Sequence, residues 1–298
     1  MATDASLLPS VPSLSSEFRD VNGVQLHIVT AGPEDGPHVL LLHGFPDFWY
    51  GWREQIPALV DAGYRVLVPD QRGYNLSEKP RGSRQYVVSE LVADAMALVR
   101  SAGADAAHVV GHDWGGGVAW ELAARHPESV ETLSIINAPH PRVFAMSWLT
   151  NPRQLARSWY IFAFLLPGLP EHALVRRGQE NLGRILISSA NPESVHPDAL
   201  DHYHEAWSRP RALTAMLNWY RAMPLEGGLP SQASIRPPTL LCWGEQDIAL
   251  DPELATESLQ YCVDGDLRRF PSGSHWVHWD DPAGVNEALL AHLGKERA

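Results

Sequence analysis

The sequence predicts an α/β fold, in which a mostly parallel central sheet is flanked by helices and interrupted by an inserted helical block. Two observations carry this prediction. Short apolar runs, typical of strands buried on both faces, alternate with amphipathic helical segments along most of the chain. That alternation stops after Asn137, where a segment rich in aromatic residues and prolines follows, and a buried strand returns only near Pro237.

The individual elements follow from the same patterns. Residues 17–20 and 24–30 are predicted to form two strands, because the sequence Asn22-Gly23 between them favours a tight turn. The further predicted strands cover residues 38–42, 64–68, 107–110, 130–136, 237–243 and 267–270, and the helices predicted around the sheet cover residues 52–62, 89–102, 116–125 and 283–293. One more helix is expected between the last two strands.

The chain divides into three predicted parts. Residues 1–16 are rich in serine and proline and are expected to form an N-terminal arm. Residues 17–140 and 235–298 are expected to form the core domain that contains the sheet, and residues 141–234 a helical cap. Ligands of open α/β sheets bind at the carboxyl edge of the strands, so we expect the cap to cover that edge.

The composition excludes several classes of function. A net charge of −12 without a basic stripe argues against nucleic-acid binding. No apolar stretch is long enough to span a membrane, and the first eight residues lack the regions of a signal peptide. The two cysteines suit a reducing cytoplasm and the 14 histidines show no zinc-binding spacing, so we expect a cytoplasmic protein without a bound metal.

The segment from Gly111 to Gly115 is the most informative one. A predicted strand runs into a Gly-x-Asp-x-Gly turn and then into a helix, which is the pattern of the G-x-S-x-G nucleophile elbow with Asp113 in the position of the serine. The flanking glycines fit a sharp turn that crowds its neighbours. Taken alone, Asp113 is equally well explained as the N-cap of the helix, since aspartate is favoured there.

Two further residues complete a catalytic pattern. Asp247 follows the strand that ends near Trp243, and His275 follows the last strand. A nucleophile, an acid and a histidine in this order, each just past a strand, is the chain order of α/β-hydrolases, and their joint occurrence favours a triad over three unrelated polar residues. Glu245 is a competing acid, but it lies two residues closer to the end of its strand.

An aspartate nucleophile restricts the chemistry. A carboxylate is ionised at neutral pH, so its attack needs no general base. Attack on a saturated carbon gives an alkyl ester that water can hydrolyse, whereas attack on a carboxylic ester would give an anhydride. Epoxides and alkyl halides are therefore the expected substrates. His275, oriented by Asp247, would activate the water, and the backbone N–H groups of Phe45 and Trp114 would stabilise the oxyanion.

The sequence resembles the soluble epoxide hydrolases of the α/β-hydrolase superfamily, from about Phe18 to the C-terminal helix. The segments that carry the resemblance are His43-Gly44-Phe45-Pro46-Asp47, Asp70-Gln71-Arg72-Gly73-Tyr74, Gly111-His112-Asp113-Trp114-Gly115-Gly116 and Gly273-Ser274-His275-Trp276. Asn75 departs from the family pattern, which usually has glycine there. Asparagine tolerates the left-handed conformation better than most residues, so we expect the turn to be kept. The aspartate elbow is shared with haloalkane dehalogenases and does not distinguish the two families.

The resemblance implies a cofactor-independent epoxide hydrolase, an ether-bond hydrolase that converts a small-molecule epoxide and water to a vicinal diol. It implies that Tyr160 and Tyr220 of the cap donate a proton to the opening epoxide, and we expect Trp114 and Trp276 to contact the substrate. A haloalkane dehalogenase with the same nucleophile is the main alternative, and a non-catalytic small-ligand receptor is the alternative from another class. The oligomeric state is open, with a homodimer among the options.

Overall fold

The computed structural model of the chain describes residues 7–8, 11, 13–175, 180–195, 197–227 and 230–294. These residues form eight strands: β1 (Ser15–Val21), β2 (Val24–Ala31), β3 (His38–Leu42), β4 (Arg65–Pro69), β5 (Ala107–His112), β6 (Val130–Ile136), β7 (Thr239–Gly244) and β8 (Gly265–Phe270). They pair in one sheet with the order β1-β2-β4-β3-β5-β6-β7-β8. The strands β4, β3, β5, β6, β7 and β8 are parallel to one another, whereas β2 is antiparallel to both β1 and β4. This mostly parallel sheet confirms the predicted fold class.

The helices lie in two groups, those beside the sheet and those inserted between β6 and β7. The first group comprises α1 (Gln55–Asp61), α2 (Val88–Ser101), α3 (Trp114–Arg125), α11 (Glu253–Leu259), α12 (Val277–Asp280) and α13 (Pro282–Leu293). The second group, which we call the helical insertion, comprises α4 (Pro141–Thr150), α5 (Pro152–Arg157), α6 (Trp159–Phe164), α7 (Leu169–Val175), α8 (Glu180–Ser189), α9 (Pro197–Ser208) and α10 (Ala212–Ala222). No described residue between 141 and 234 lies in a strand. None of the described helices combines the length and the apolar character needed to cross a membrane.

Several boundaries differ from those predicted. β1 begins at Ser15, two residues early, and most of the expected arm before it lies outside the described residues. The helix predicted at 52–62 is preceded by a separate 3₁₀ turn at Trp49–Trp52. α3 begins at Trp114 rather than at residue 116, because the backbone of Asp113, with φ 50° and ψ −120°, turns the chain from strand to helix in one step. Such a turn depends on local packing, which an apolar pattern does not encode.

The sheet order gathers distant parts of the sequence at one edge. The parallel strands β5, β6, β7 and β8 are consecutive neighbours, so their carboxyl ends lie side by side. Asp113, Asn137, Asp247 and His275 follow these four strand ends in that order. The pairing of buried strands therefore places these polar side chains on adjacent loops.

The turn around Asp113 is built on close contacts between backbones. A Cβ atom on Gly115 would overlap with the carbonyl oxygen of Leu42 in the neighbouring strand β3. A Cβ atom on Gly111 would come within 2.5 Å of the carbonyl oxygen of Gly115. Both positions are therefore restricted to glycine by the approach of α3 to the strand ends, as the elbow pattern predicted.

Replacing Gly115 with alanine should destabilise the protein, whereas the same change at Gly117 should not. Overpacking at Gly115 should lower the free energy of unfolding by about 3 kcal/mol. A Cβ atom on Gly117 meets no atom within 4 Å, and alanine is about 0.5–1 kcal/mol better than glycine inside a helix. Chemical denaturation of the two variants tests this difference. Equal stabilities would show that the elbow is looser than its geometry indicates.

Candidate active site

Asp113 is held by hydrogen bonds to its carboxylate. Its Oδ1 accepts a hydrogen bond from the backbone N–H of Phe45 at 2.7 Å. The backbone N–H of Trp114, at the N-terminus of α3, also hydrogen-bonds the carboxylate. Both N–H groups that the sequence singled out as oxyanion donors therefore face Asp113, one from the loop after β3 and one from the start of α3.

His275 bridges the two carboxylates of the site. Its Nδ1 lies 2.7 Å from Oδ2 of Asp247, and its Nε2 lies 3.7 Å from Oδ2 of Asp113. Oδ1 of Asp247 accepts hydrogen bonds from the backbone N–H groups of Ala249 and Leu250. Asp247 is acceptor-only when ionised, so Nδ1 of His275 carries the proton in this contact and Nε2 is directed at Asp113.

The pKa values of these three groups depend on one another. Burial raises the pKa of Asp113, while His275 and the N–H groups of Phe45 and Trp114 act in the opposite direction. Burial alone would lower the pKa of His275, but the carboxylates of Asp247 and Asp113 outweigh it and raise that pKa to about 9. Burial opposes ionisation of Asp247 as well, but His275 and the other hydrogen bonds hold its pKa below the usual value. His275 is therefore an imidazolium at neutral pH.

Asn137 also belongs to this cluster, although the sequence analysis gave it no role there. It has a φ of 40° just after β6. Its Nδ2 donates to Oδ2 of Asp247 at 2.8 Å, and its Oδ1 accepts from the backbone N–H of Gly244 at 2.9 Å. It therefore fixes Asp247 relative to the end of β7. The available signal was a polar residue at the carboxyl end of a predicted central strand.

The competing acid, Glu245, points away from the site. Its carboxylate pairs with Arg269 on β8 at 3.0 Å. The structure therefore brings Asp247, and not Glu245, to His275.

A cavity of about 470 Å³ opens from Asp113 between the sheet edge and the helical insertion. Tyr160 on α6 and Tyr220 on α10 line it together with Asp113 and Trp114. The rings of the two tyrosines lie 6.3 Å apart, centroid to centroid, and the side chain of Trp114 hydrogen-bonds Tyr220. Burial is the main cause that raises the pKa of both tyrosines. The charge of Asp113 adds to it at Tyr160, and the Tyr160 phenol and Asp113 add to it at Tyr220, so both hydroxyls are protonated at neutral pH.

Trp276 does not lie where we expected it. It is outside the lining of the cavity around Asp113. Its indole N–H donates to Oγ of Ser189 at 2.9 Å, and its ring stacks on Trp279 with centroids 4.2 Å apart. A residue next to His275 need not face the same side of the loop, and here Trp276 packs between the loop and the helical insertion. Of the two expected substrate contacts, only Trp114 faces the cavity.

One buried group in the described part of the chain has the composition of a metal site. Asp47, His112 and His278 bring one oxygen and two nitrogen atoms within 4.8 Å of one another, although no spacing in the sequence indicated it. Nε2 of His112 hydrogen-bonds the backbone carbonyl of His275, so this group lies directly behind the loop that carries that histidine. The Arg53 guanidinium acts electrostatically on Asp47 and His278. The positive charge of this guanidinium would repel a metal ion bound beside it, so we assign no metal to this group.

Asn75 adopts a φ of 33°, as expected from the tolerance of asparagine for the left-handed conformation. Its Nδ2 donates to the buried carboxylate of Asp70 at 2.8 Å. The turn that glycine usually occupies in the family is thus kept here by a side-chain hydrogen bond.

Comparison with known proteins agrees with this geometry. Residues 37–282 match the family described as alpha/beta hydrolase fold. The protein named Epoxide hydrolase 1 of Caenorhabditis elegans is 34% identical over 94% of this chain and 70% of its own length. Epoxide hydrolase 3 of Xenopus tropicalis is 38% identical over 92% of this chain and 76% of its own length. This chain belongs to the epoxide hydrolase family of the α/β-hydrolase superfamily.

A solved structure agrees with the assignment to this family. The epoxide hydrolase of Bacillus megaterium in complex with an inhibitor superimposes with a TM-score of 0.86, at 30% sequence identity, over 94% of this chain and 100% of that one. The match therefore includes most of the helical insertion as well as the sheet.

The coupling within this epoxide hydrolase site can be measured by titrating His275. In the wild-type protein, NMR of the labelled imidazole should give a midpoint near the expected pKa of about 9. The carboxylate of Asp113 is one cause of that rise, so Asp113→Asn should lower the midpoint by about one pH unit or more. Tyr160→Phe removes no charge and serves as the control. An unchanged midpoint in the asparagine variant would mean that Asp113 and His275 are not coupled.

Proposed function

We propose that this protein hydrolyses epoxides to vicinal diols without a cofactor, through a covalent ester on Asp113. The observation that carries the proposal is the arrangement around Asp113. A carboxylate held by two N–H groups faces an apolar cavity with two phenol groups, and the Nε2 atom of His275 lies 3.7 Å from it. This arrangement supports the roles of Asp113 as nucleophile, His275 as base and the two tyrosines as proton donors.

In the first step, Oδ2 of Asp113, the oxygen that does not accept the N–H of Phe45, attacks a carbon of the epoxide ring. A C–O bond forms to the enzyme as the ring C–O bond breaks. The oxygen of the opened ring takes a proton from Tyr160 or Tyr220, which leaves a tyrosinate and an ester that carries a neighbouring hydroxyl group. The raised pKa values keep both phenols protonated until an alkoxide, a far stronger base, develops beside them.

Formation of the ester would convert His275 from an acid into a base. Esterification removes the charge of Asp113, which is one of the causes of the raised pKa of His275. The pKa of His275 therefore falls in the intermediate, and the imidazolium can give its proton to the tyrosinate, which restores the neutral tyrosine. Because Asp247 hydrogen-bonds Nδ1, the free nitrogen is Nε2, on the side of the ester.

In the second step, His275 takes a proton from a water molecule that attacks the ester carbonyl carbon of Asp113. The carbonyl oxygen becomes an oxyanion, stabilised by the N–H groups of Phe45 and Trp114 that hydrogen-bond the carboxylate in the resting protein. Collapse breaks the ester C–O bond, and the leaving diol oxygen takes the carboxylic acid proton of Asp113. His275 keeps the proton that it took from water, so all groups return to their starting protonation states. The sum is one epoxide and one water converted to one diol.

The remaining assignments are part of the same proposal. The helical insertion, with its flanking residues over 141–234, serves as the cap that supplies the proton donors, and residues 17–140 and 235–298 form the core domain. The net charge of −12 disfavours nucleic acid as a partner. The free thiols of Cys242 and Cys262 suit the cytoplasm.

The tyrosine pair distinguishes epoxide chemistry from halide chemistry. Tyr160→Phe combined with Tyr220→Phe should slow the hydrolysis of styrene oxide by about 100-fold or more, since general acid assistance is lost. A halide leaves as an anion and needs no proton, so any turnover of 1-bromobutane should change little. Phenylalanine fills nearly the same space, and the thermal midpoint should be retained.

Initial rates of the wild type, the double variant and Asp113→Ala on both substrates test the proposal, with the alanine variant setting the background. Near-native epoxide turnover by the double variant would refute the role of the tyrosines. Wild-type turnover confined to 1-bromobutane would identify a dehalogenase instead.

A further inference from the structure

The cavity extends well beyond the nucleophile, along one face of α3. Asp113, Gly117, Glu121 and Arg125 all line it. These residues are four positions apart, which places them on one face of the helix, one turn above another. With a rise of about 1.5 Å per residue, the twelve positions from Asp113 to Arg125 span about 18 Å. The cavity is therefore a channel that leads from the nucleophile towards the exposed end of α3.

The opposite wall of the channel is apolar. Side chains of α4, of α6 and the residue that follows it, and of the turn after α10 provide it. They include Phe144, Ala145, Trp148, Ile161, Leu165 and Met223. A long apolar substituent that packs against this wall is removed from water, which favours its binding.

Gly117 keeps this channel wide one helical turn beyond the nucleophile. It is the one glycine of the elbow that packing does not require. A Cβ atom on its neighbour Gly116 would lie 2.4 Å from the Cβ atom of Ala138, whereas one on Gly117 would meet nothing within 4 Å. Gly117 also has no positive φ that would demand glycine. The open space beside it belongs to the channel.

The far end of the channel carries more negative than positive charge. Nε of Arg125 pairs with Oε2 of Glu121 at 2.7 Å. Glu226, from the segment after α10, accepts a hydrogen bond from the backbone N–H of Val88 at the start of α2. Two carboxylates thus accompany one guanidinium around this end, which favours a neutral substituent over an anionic one.

We propose that Gly117 determines substrate specificity, and that the protein takes epoxides whose long, neutral and apolar substituent runs from Asp113 past Gly117 towards Arg125. This inference rests on the proposed function, because it places the reacting epoxide at Asp113. It adds the class of substrate and the residue that selects it.

The test compares a long and a short terminal epoxide, 1,2-epoxydecane and 1,2-epoxybutane, on variants of Gly117. The wild type should prefer the long substrate in kcat/KM by about tenfold or more. Gly117→Leu should reduce this preference by about tenfold, because the leucine side chain fills the channel. Gly117→Ala also removes the glycine but does not fill the channel, so it should reduce the preference less. Ala145→Leu narrows the channel from the opposite wall and should act like Gly117→Leu, so the test does not depend on one variant folding. An unchanged preference in the leucine variants would overturn the proposal.

Binding separates a failure of this inference from a failure of the proposed function. The unreactive 1,2-decanediol should bind the wild type, and Gly117→Leu should weaken its affinity by about tenfold, as measured by calorimetry. If neither epoxide is turned over but the wild type still binds the diol more tightly than Gly117→Leu does, the proposed function is refuted and the channel remains supported. Equal affinity of wild type and variant for the diol would refute the channel.

Discussion

The carboxylate of Asp113 sets the central constraint of this structure, because the proposed mechanism needs it ionised although it is buried beside a mostly apolar cavity. Burial by itself raises its pKa and favours the neutral acid, which could not attack. Three features of the fold oppose this: the imidazolium of His275, the N–H of Phe45 from the loop after β3, and the N–H of Trp114 at the start of α3. Hydrogen bonds to a charged group contribute about 1.5–3 kcal/mol each, which applies to the two N–H groups, and His275 adds the attraction of an opposite charge at 3.7 Å.

The same constraint explains why the site spans so much of the fold. Asp113 reaches its position through a backbone with a positive φ, and Gly111 and Gly115 allow the tight packing around it. His275 is held at Nδ1 by Asp247, and Asp247 is held in turn by Asn137. In the proposed mechanism one charge moves around this network: it is lost from Asp113 on alkylation, His275 then becomes a base, and hydrolysis restores the starting state.

Much of the site could be predicted from the sequence, because spacing and chain order define it. The turn around Asp113 and the order of Asp113, Asp247 and His275 follow from a strand-to-helix pattern, and parallel pairing places them together. Trp276 was misplaced, since the sequence does not state which side of a loop a residue faces. The contact of Asn137 with Asp247 and the open side of Gly117 were missed, because both depend on how separate elements approach one another.

The covalent role of Asp113 can be tested most directly by following oxygen during a single turnover in ¹⁸O-labelled water, with the protein in excess over styrene oxide. Water attacks the ester carbonyl in the proposed mechanism, so the oxygen added to the first diol comes from the carboxylate of Asp113. The diol should therefore carry no label, and the peptide that contains Asp113 should gain one ¹⁸O by mass spectrometry. Label in the diol, with an unlabelled Asp113 peptide, would show that water attacks the epoxide directly and would contradict the covalent mechanism.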